Sequence, residues 1–280
     1  MGLQTVTGLG NQGFFIPYRH AAGVASPKSY PAIEALFERQ QTRFQALLQT
    51  MADLGEVLAG LNGPPPRPRW NQGWFARLDG AAAYSLVRTV KPSRIIEIGS
   101  GHSTRFMHAA LADGGIDCRL TAIDPQPRAD IAALPIEHVP ATLQDADLAV
   151  FDGLAAGDIL FVDSSHILMP GSDVDLVLSD LLHRLPPGGL VHFHDILLPD
   201  GYPANWQWRG YNEQQGVAAL LAGGGFEPIF ASHYVATRMA SVLTDHPVGR
   251  LPLMDGVPET SLWLRKLATP LGGISPESRE

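Results

Sequence analysis

Two runs concentrate the side chains capable of chemistry: DILFVDSSHIL, Asp158 to Leu168, and GGLVHFHDILLPDGYPANW, Gly188 to Trp206. Each starts as an apolar strand and ends in ionisable residues, Asp163 and His166 in the first, His192, His194 and Asp195 in the second. Brought within a few ångströms, two imidazoles and one or two carboxylates can do one of two things. They can form an acid/base pair that takes the proton from a hydroxyl or amine nucleophile, with His166, His194 and Asp195 as the candidates. They can instead hold a hard or borderline divalent metal, with Asp163, His166, His194 and Asp195 as ligands. Along VHFHD, His192 and His194 point to one face and Phe193 and Asp195 to the other while the strand lasts. His192 and Asp195 can equally be spent on hydrogen bonds to loop backbone. Downstream, NWQWRGYNEQQGVAALL, Asn205 to Leu221, places Trp206, Trp208, Tyr211, Asn212, Glu213 and Gln214 on a loop entering a helix at the same sheet edge. Tyr211 and Asn212 are candidates to wall a substrate pocket and orient a nucleophile, and the tryptophans can serve as packing anchors.

These side chains need a scaffold, and RIIEIGSGHSTRF, Arg94 to Phe106, indicates which one. It reads as a buried parallel strand, a glycine turn and a helix, the place where nucleotide-like ligands sit in α/β proteins. Gly99 and Gly101 offer torsions and close approach that a Cβ would forbid. Ser100, His102, Ser103 and Thr104 offer hydroxyls and free N–H groups above the turn. A dinucleotide site would want a third glycine near position 104 and no carboxylate beside the pyrophosphate. Thr104 stands there, and Glu97 precedes the turn. Glu97 favours a ligand with positive charge, and S-adenosylmethionine, with a sulfonium and an ammonium, is such a ligand. RLTAIDPQPR, Arg119 to Arg128, agrees, for it is a second short strand ending in Asp124. That is about 20 to 25 residues past the turn, where an acid meets ribose hydroxyls.

The remaining elements follow from periodicity. Apolar residues from Ile33 to Leu58 recur near 3.6 and predict one helical pattern over Pro31 to Leu61, ended by GPPPRPR, Gly63 to Arg69. Leu78 to Val90 reads as the helix before the first strand. Strands are expected at Arg94 to Ile98, Leu120 to Ile123, Ile136 to Val139, Ile159 to Val162, Gly189 to His194, Phe226 to Val235 and Ser261 to Lys266. The organisation is then an N-terminal helical cover and Pro-rich linker over 1–75, a Rossmann-like catalytic domain over 76–270 and a C-terminal tail over 271–280. The N-terminal stripe is expected to close over the cofactor mouth and to offer a homodimer surface.

Composition limits the partners. With 280 residues, 45% hydrophobic, the chain can bury a full α/β core. A net charge of −8 opposes nucleic acid and anionic membranes, which need a basic surface, and leaves a small-molecule substrate. No apolar run approaches the length of a membrane span. Met1 to Asn11 lacks the pattern of a signal peptide, and the single Cys118 excludes an internal disulfide framework, so a cytoplasmic protein is expected.

On the motifs around Glu97, Asp124, Asp163–His166 and His194–Asp195–Ile196, the chain resembles class I S-adenosylmethionine-dependent methyltransferases. Within them it is similar to the bacterial group with an Ile/Val-Asp-x-x-His motif after strand four and a His-Asp-Ile motif after strand five. The resemblance implies a seven-stranded, mostly parallel sheet with helices on both faces and the last strand antiparallel. It implies cofactor contacts from Glu97, Gly99 and Gly101 at the methionine end, Asp124 at the ribose and Asp145 at the adenine. Ser100, Ser103, Thr104 and Asp163 complete the candidate cofactor set. Metal-dependent catechol-type enzymes place an Asp-Asn pair after strand five, whereas here Ile196 follows Asp195, which leaves the metal open. Two other functions are compatible with the fold: a lyase or cyclase using the sulfonium without an acceptor, and a non-catalytic cofactor-binding subunit. Retention of Glu97, Asp124, Asp163, His166 and His194 argues against the latter.

Overall fold

Three isoleucines, two of them adjacent, make Arg94–Ile98 (β1) the buried centre of the sheet. The computed structural model describes residues 2–10 and 13–267; the expected tail, 271–280, lies outside them. β1 is flanked by Arg119–Ile123 (β2) and Ile159–Val162 (β4); Glu137–Val139 (β3), Leu190–Phe193 (β5), Phe226–Ala231 (β6) and Leu262–Lys266 (β7) complete seven strands in the order β3-β2-β1-β4-β5-β7-β6. All pairings are parallel except those of β7, which runs antiparallel to both β5 and β6. The fold is thus a seven-stranded, mostly parallel Rossmann-like sheet with its last strand antiparallel. In register, Ile98 faces Ile123 on one side and Val162 on the other, and Val162 faces Phe193. The carboxyl ends of β1, β2, β4 and β5 therefore stop level at one edge, where the loops carrying chemistry begin.

The helices are Gly2–Val6 (α1), Pro31–Glu38 (α2), Gln41–Asp53 (α3), Gly55–Gly60 (α4), Arg77–Val90 (α5), His102–Gly114 (α6), Asp173–Leu176 (α7), Leu182–Arg184 (α8), Glu213–Ala222 (α9), Ser232–Arg238 (α10) and Ala240–Leu243 (α11). A π-helical turn, Val177–Leu181, joins α7 to α8.

Two expectations are corrected. The pattern over Pro31 to Leu61 is three helices, because Gln40 (ψ 1°) and Leu54 (ψ 7°) leave helical torsions and let the chain bend around the sheet. Strand six ends at Ala231, not Val235. Its partner β7 begins at Leu262, opposite Ala231, and Ser232 gives its N–H to the Ser261 carbonyl, so the chain beyond has no ladder to join and coils into α10.

The apolar stripe of α2 to α4 finds its cover inside the molecule rather than over the cofactor mouth. Phe37, Phe44, Leu48, Met51 and Leu58 are buried in the same core as the sheet. Phe44 meets Phe37, Phe230 and Tyr234 edge-on at centroid distances of 5.9 to 6.1 Å, a preferred aromatic geometry. A different N-terminal stretch reaches the catalytic edge: Tyr30 donates its N–H to Pro199, and Gly201 donates to Lys28, along the loop after β5.

Candidate functional site

The ends of β1, β2 and β4 frame a cleft of about 570 Å³ lined by Gly99, Ser100, Asp124, Thr142, Gln144 and Asp163, with Phe14 of the N-terminal segment at its rim. Gly99 makes the turn feasible: its φ is +77°, and a Cβ there would lie 1.8 Å from the Asp163 carbonyl oxygen. Asp163 is held at that height because its own N–H donates to Ile98. At Gly101 a Cβ would make only ordinary contacts.

Asp124 braces the turn. Its Oδ2 accepts from the N–H and hydroxyl of Ser100 at 2.6 and 3.0 Å, and its Oδ1 accepts from the N–H of Gln126 at 2.7 Å. It lies at the cleft wall with lone pairs left for ribose hydroxyls. Asp124→Ala is expected to weaken S-adenosylmethionine binding by roughly 1 to 3 kcal/mol, read by calorimetry; unchanged affinity would remove Asp124 from the cofactor site.

Glu97 sits beneath the turn, fully buried, and accepts from Ser103 Oγ at 2.5 Å and Thr104 Oγ1 at 2.6 Å. Burial raises its carboxyl to about 8 against the opposing pull of those hydroxyls. Ser103 and Thr104 thus turn their hydroxyls inward to Glu97 rather than up toward a ligand. Asp145 is exposed, accepts from Thr142, and is not among the residues lining the cleft, whose nearby wall is Thr142, Leu143 and Gln144.

Asp163 also belongs to the second constellation. Its Oδ1 lies 3.4 Å from His166 Nε2 and 3.4 Å from His194 Nδ1, so one carboxylate oxygen bridges both imidazoles. Asp195 closes the ring from the other side, Oδ2 at 3.5 Å from His166 and Oδ1 at 3.7 Å from His194. His166 and Asp195 hold left-handed torsions, φ 61° and 53°, a cost of roughly 1–2 kcal/mol each. The backbone N–H groups of Asn212 and Glu213 both donate to the His166 carbonyl and hold it there.

Several residues that position the cluster escaped the sequence reading. Glu213, fully buried, pairs with His166 Nδ1 at 2.8 Å, which turns Nε2 toward the aspartates. Asp79 on α5, also fully buried, accepts the N–H groups of Thr260 and Ser261 and stands 3.6 Å from His194 Nε2. Thr260 Oγ1 lies 3.3 Å from both His194 and Asp195. Nothing local marks Asp79 or Thr260, because each meets His194 only through tertiary packing. Glu213 was legible only as part of a helix start.

The electrostatics follow from this pairing. Burial pushes both imidazoles down, but His166, facing Asp163, Glu213 and Asp195, ends well above its ordinary value. His194, facing Asp163, Asp79 and Asp195, does likewise. Asp163, despite burial, is held well below the usual carboxylate range by the two histidines. His192 is different: buried, stacked on Phe161 at 3.7 Å and bonded to Ser261, it is kept neutral by burial.

Asn212 clamps Leu168, accepting from its N–H and donating to its carbonyl. Tyr211 lays its ring 4.6 Å from His166. Phe75 of the Trp70 to Phe75 segment packs 5.4 Å from His194. Two imidazoles and two carboxylates suit a divalent ion by donor type. As they stand, however, no three His, Cys, Asp or Glu side chains among the described residues are arranged to hold one. The four form an alternating ring of imidazole and carboxylate contacts, an arrangement suited to holding and moving protons.

Residues 96–196 match a family model described as a methyltransferase domain. No curated protein matches the chain in sequence. Among solved structures, it is similar to an SAH-bound methyltransferase of Podospora anserina (15% identity, 91% of this chain and 99% of that one, TM-score 0.44). It is also similar to the MycE methyltransferase of the mycinamycin pathway in complex with Mg, SAH and mycinamycin VI (17%, 81% and 57%, 0.42), and to a methyltransferase from Geobacter sulfurreducens (14%, 89% and 94%, 0.39). The matched residues run from β1 through the glycine turn, Asp124, Asp163 and His166 to Asp195 and Ile196, so over this stretch the chain is similar to methyltransferase domains.

Proposed function

We propose that the enzyme methylates a hydroxyl or amine of a small molecule, with His166 and His194, bridged by Asp163 and Asp195, taking the proton that the nucleophile loses. One observation carries this reading: Asp163 both lines the cofactor cleft and touches the two imidazoles. S-adenosylmethionine, when bound in that cleft, supplies an electrophilic methyl on a sulfonium. The chain's own part is alignment and proton acceptance. Asp163 fixes both rings beside the cleft, Glu213 and Asp79 stand at the outer nitrogens, and the inner nitrogens His166 Nε2 and His194 Nδ1 both meet Asp163, through which the proton of an acceptor in the cleft would reach them. Both histidines titrate above their ordinary value, so the neutral, proton-accepting form grows as pH rises, and turnover is expected to increase from neutral toward alkaline pH.

The test is release of S-adenosylhomocysteine with a panel of phenols, sugars, amines and carboxylic acids, each with and without EDTA. Acceptor-dependent release that survives EDTA supports the base reading. Cofactor consumption without any acceptor would overturn it in favour of a lyase or cyclase. Loss with EDTA and recovery on adding Mg²⁺ would assign Asp163, His166, His194 and Asp195 to a metal instead. No described helix is long and apolar enough to cross a membrane.

A further inference from the structure

The loop between β5 and α9 holds a cation that proton transfer does not use. Arg209, at the end of the 3-10 turn Ala204–Arg209, places its guanidinium 4.1 Å from the Trp206 ring centroid, 5.3 Å from Tyr211 and 5.7 Å from Trp208. Tyr211 in turn packs on His166, and Arg209 Nη1 stands 3.6 Å from Asp195 Oδ2. Arg209 is thus built into the wall of the acid/base cluster, and it approaches through Asp195, whereas the cofactor cleft is lined by Asp163 and does not include Arg209.

The aromatic cage occupies the faces of the guanidinium and fixes its plane. It does nothing for the edges, where all five N–H donors lie. The contact to Asp195 is longer than a hydrogen bond, and Nε is buried with no partner. The side chain as a whole nonetheless stays 30% exposed. A cation with fixed orientation and unused in-plane donors suits a planar or tetrahedral oxyanion, which a guanidinium binds in fork geometry. Lysine would lack both the stacking and the fork.

We infer that Arg209 recognises an anionic group, a carboxylate or a phosphate, on the methyl acceptor, so that the substrate class is a small acid bearing a hydroxyl or amine. The inference rests on the methyl-transfer reading above. The anion on Arg209 sets the nucleophile at a defined distance from His166 and His194, and the caging rings favour an acceptor with an aromatic or otherwise flat body. Arg209 is a specificity residue here, with no part in moving the proton.

The test uses full-length wild-type, Arg209→Gln and Arg209→Lys enzymes, titrated by calorimetry with 4-hydroxybenzoate, 4-hydroxyphenyl phosphate and the neutral 4-hydroxybenzamide, with and without S-adenosylhomocysteine. In the wild type at least one anion is expected to bind about tenfold or more tightly than the amide, as for a hydrogen-bonded charge pair. Whichever anion binds more tightly identifies the group. Arg209→Gln should erase that preference while leaving affinity for the amide and for S-adenosylhomocysteine unchanged, and Arg209→Lys should restore part of it. A merely structural arginine would lower all affinities together. Equal binding of anions and amide by the wild type, or a preference that survives in Arg209→Gln, overturns the inference and leaves methyl transfer standing. Failure of S-adenosylhomocysteine to bind the wild type counts instead against the functional reading, and the titrations without it still decide the role of Arg209.

Discussion

Replacing His194 by alanine is expected to slow methyl transfer by roughly 10² to 10⁴-fold while S-adenosylmethionine still binds. His194 lies one contact away from the cofactor cleft, through Asp163, and its loss removes a proton acceptor without touching Gly99, Ser100 or Asp124. Single-turnover rates and calorimetry on the same preparation separate the two effects. Full turnover with normal affinity in the variant would exclude His194 as base.

The pH behaviour gives an independent check. A histidine whose folded value is raised stabilises the fold fully below its unfolded value, near 6.5, and loses that contribution as pH rises through the folded value. Both His166 and His194 are raised, so the native protein is expected to lose stability as pH climbs from about 6.5 into the alkaline range. His194→Ala should flatten part of that slope in urea unfolding at several pH values. A slope identical to wild type would mean that His194 is not held protonated by Asp163 and Asp79.

Gly99→Ala is expected to abolish measurable cofactor binding and to destabilise the protein by roughly 2–5 kcal/mol, the sum of left-handed strain and overpacking. The new methyl would sit 1.8 Å from the Asp163 carbonyl oxygen, and neither backbone can yield cheaply. Gly99 donates to Ile123 at 3.0 Å, and Asp163 donates to Ile98 at 2.9 Å, so the clash lies between two anchored strand ends. Relief requires the Asp163 loop to lift, which would displace the cleft wall and the residue that bridges both histidines. Thermal unfolding and calorimetry check this together. A variant with wild-type melting temperature and affinity would show that the turn tolerates a side chain and that the close approach of β4 to it is not required.

The division between what was legible and what was not follows the range of the forces involved. The run from Arg94 to Phe106 declared strand, turn and helix because hydrophobic periodicity and glycine torsions act within a few residues. Local alternation also placed Asp163, His166, His194 and Asp195 just past two strand ends, and parallel pairing of β4 with β5 then had to bring them together. The sequence alone could not show where β6 stops, since that depends on β7 beginning at Leu262, or that α2 to α4 join the main core, since that depends on Phe230 and Tyr234 being there to receive Phe37 and Phe44. Nor could it show the proton ring's outer partners. Asp79 on α5, Glu213 on α9 and Thr260 before β7 are ordinary residues in their own segments, and they become part of the site only because tertiary packing sets them against the outer nitrogens of the two buried imidazoles, which need partners there. Chain-local propensity thus determined the strands, the turn and the identity of the reactive groups. Tertiary packing decided which carboxylate each histidine meets, and with it the charge the site carries.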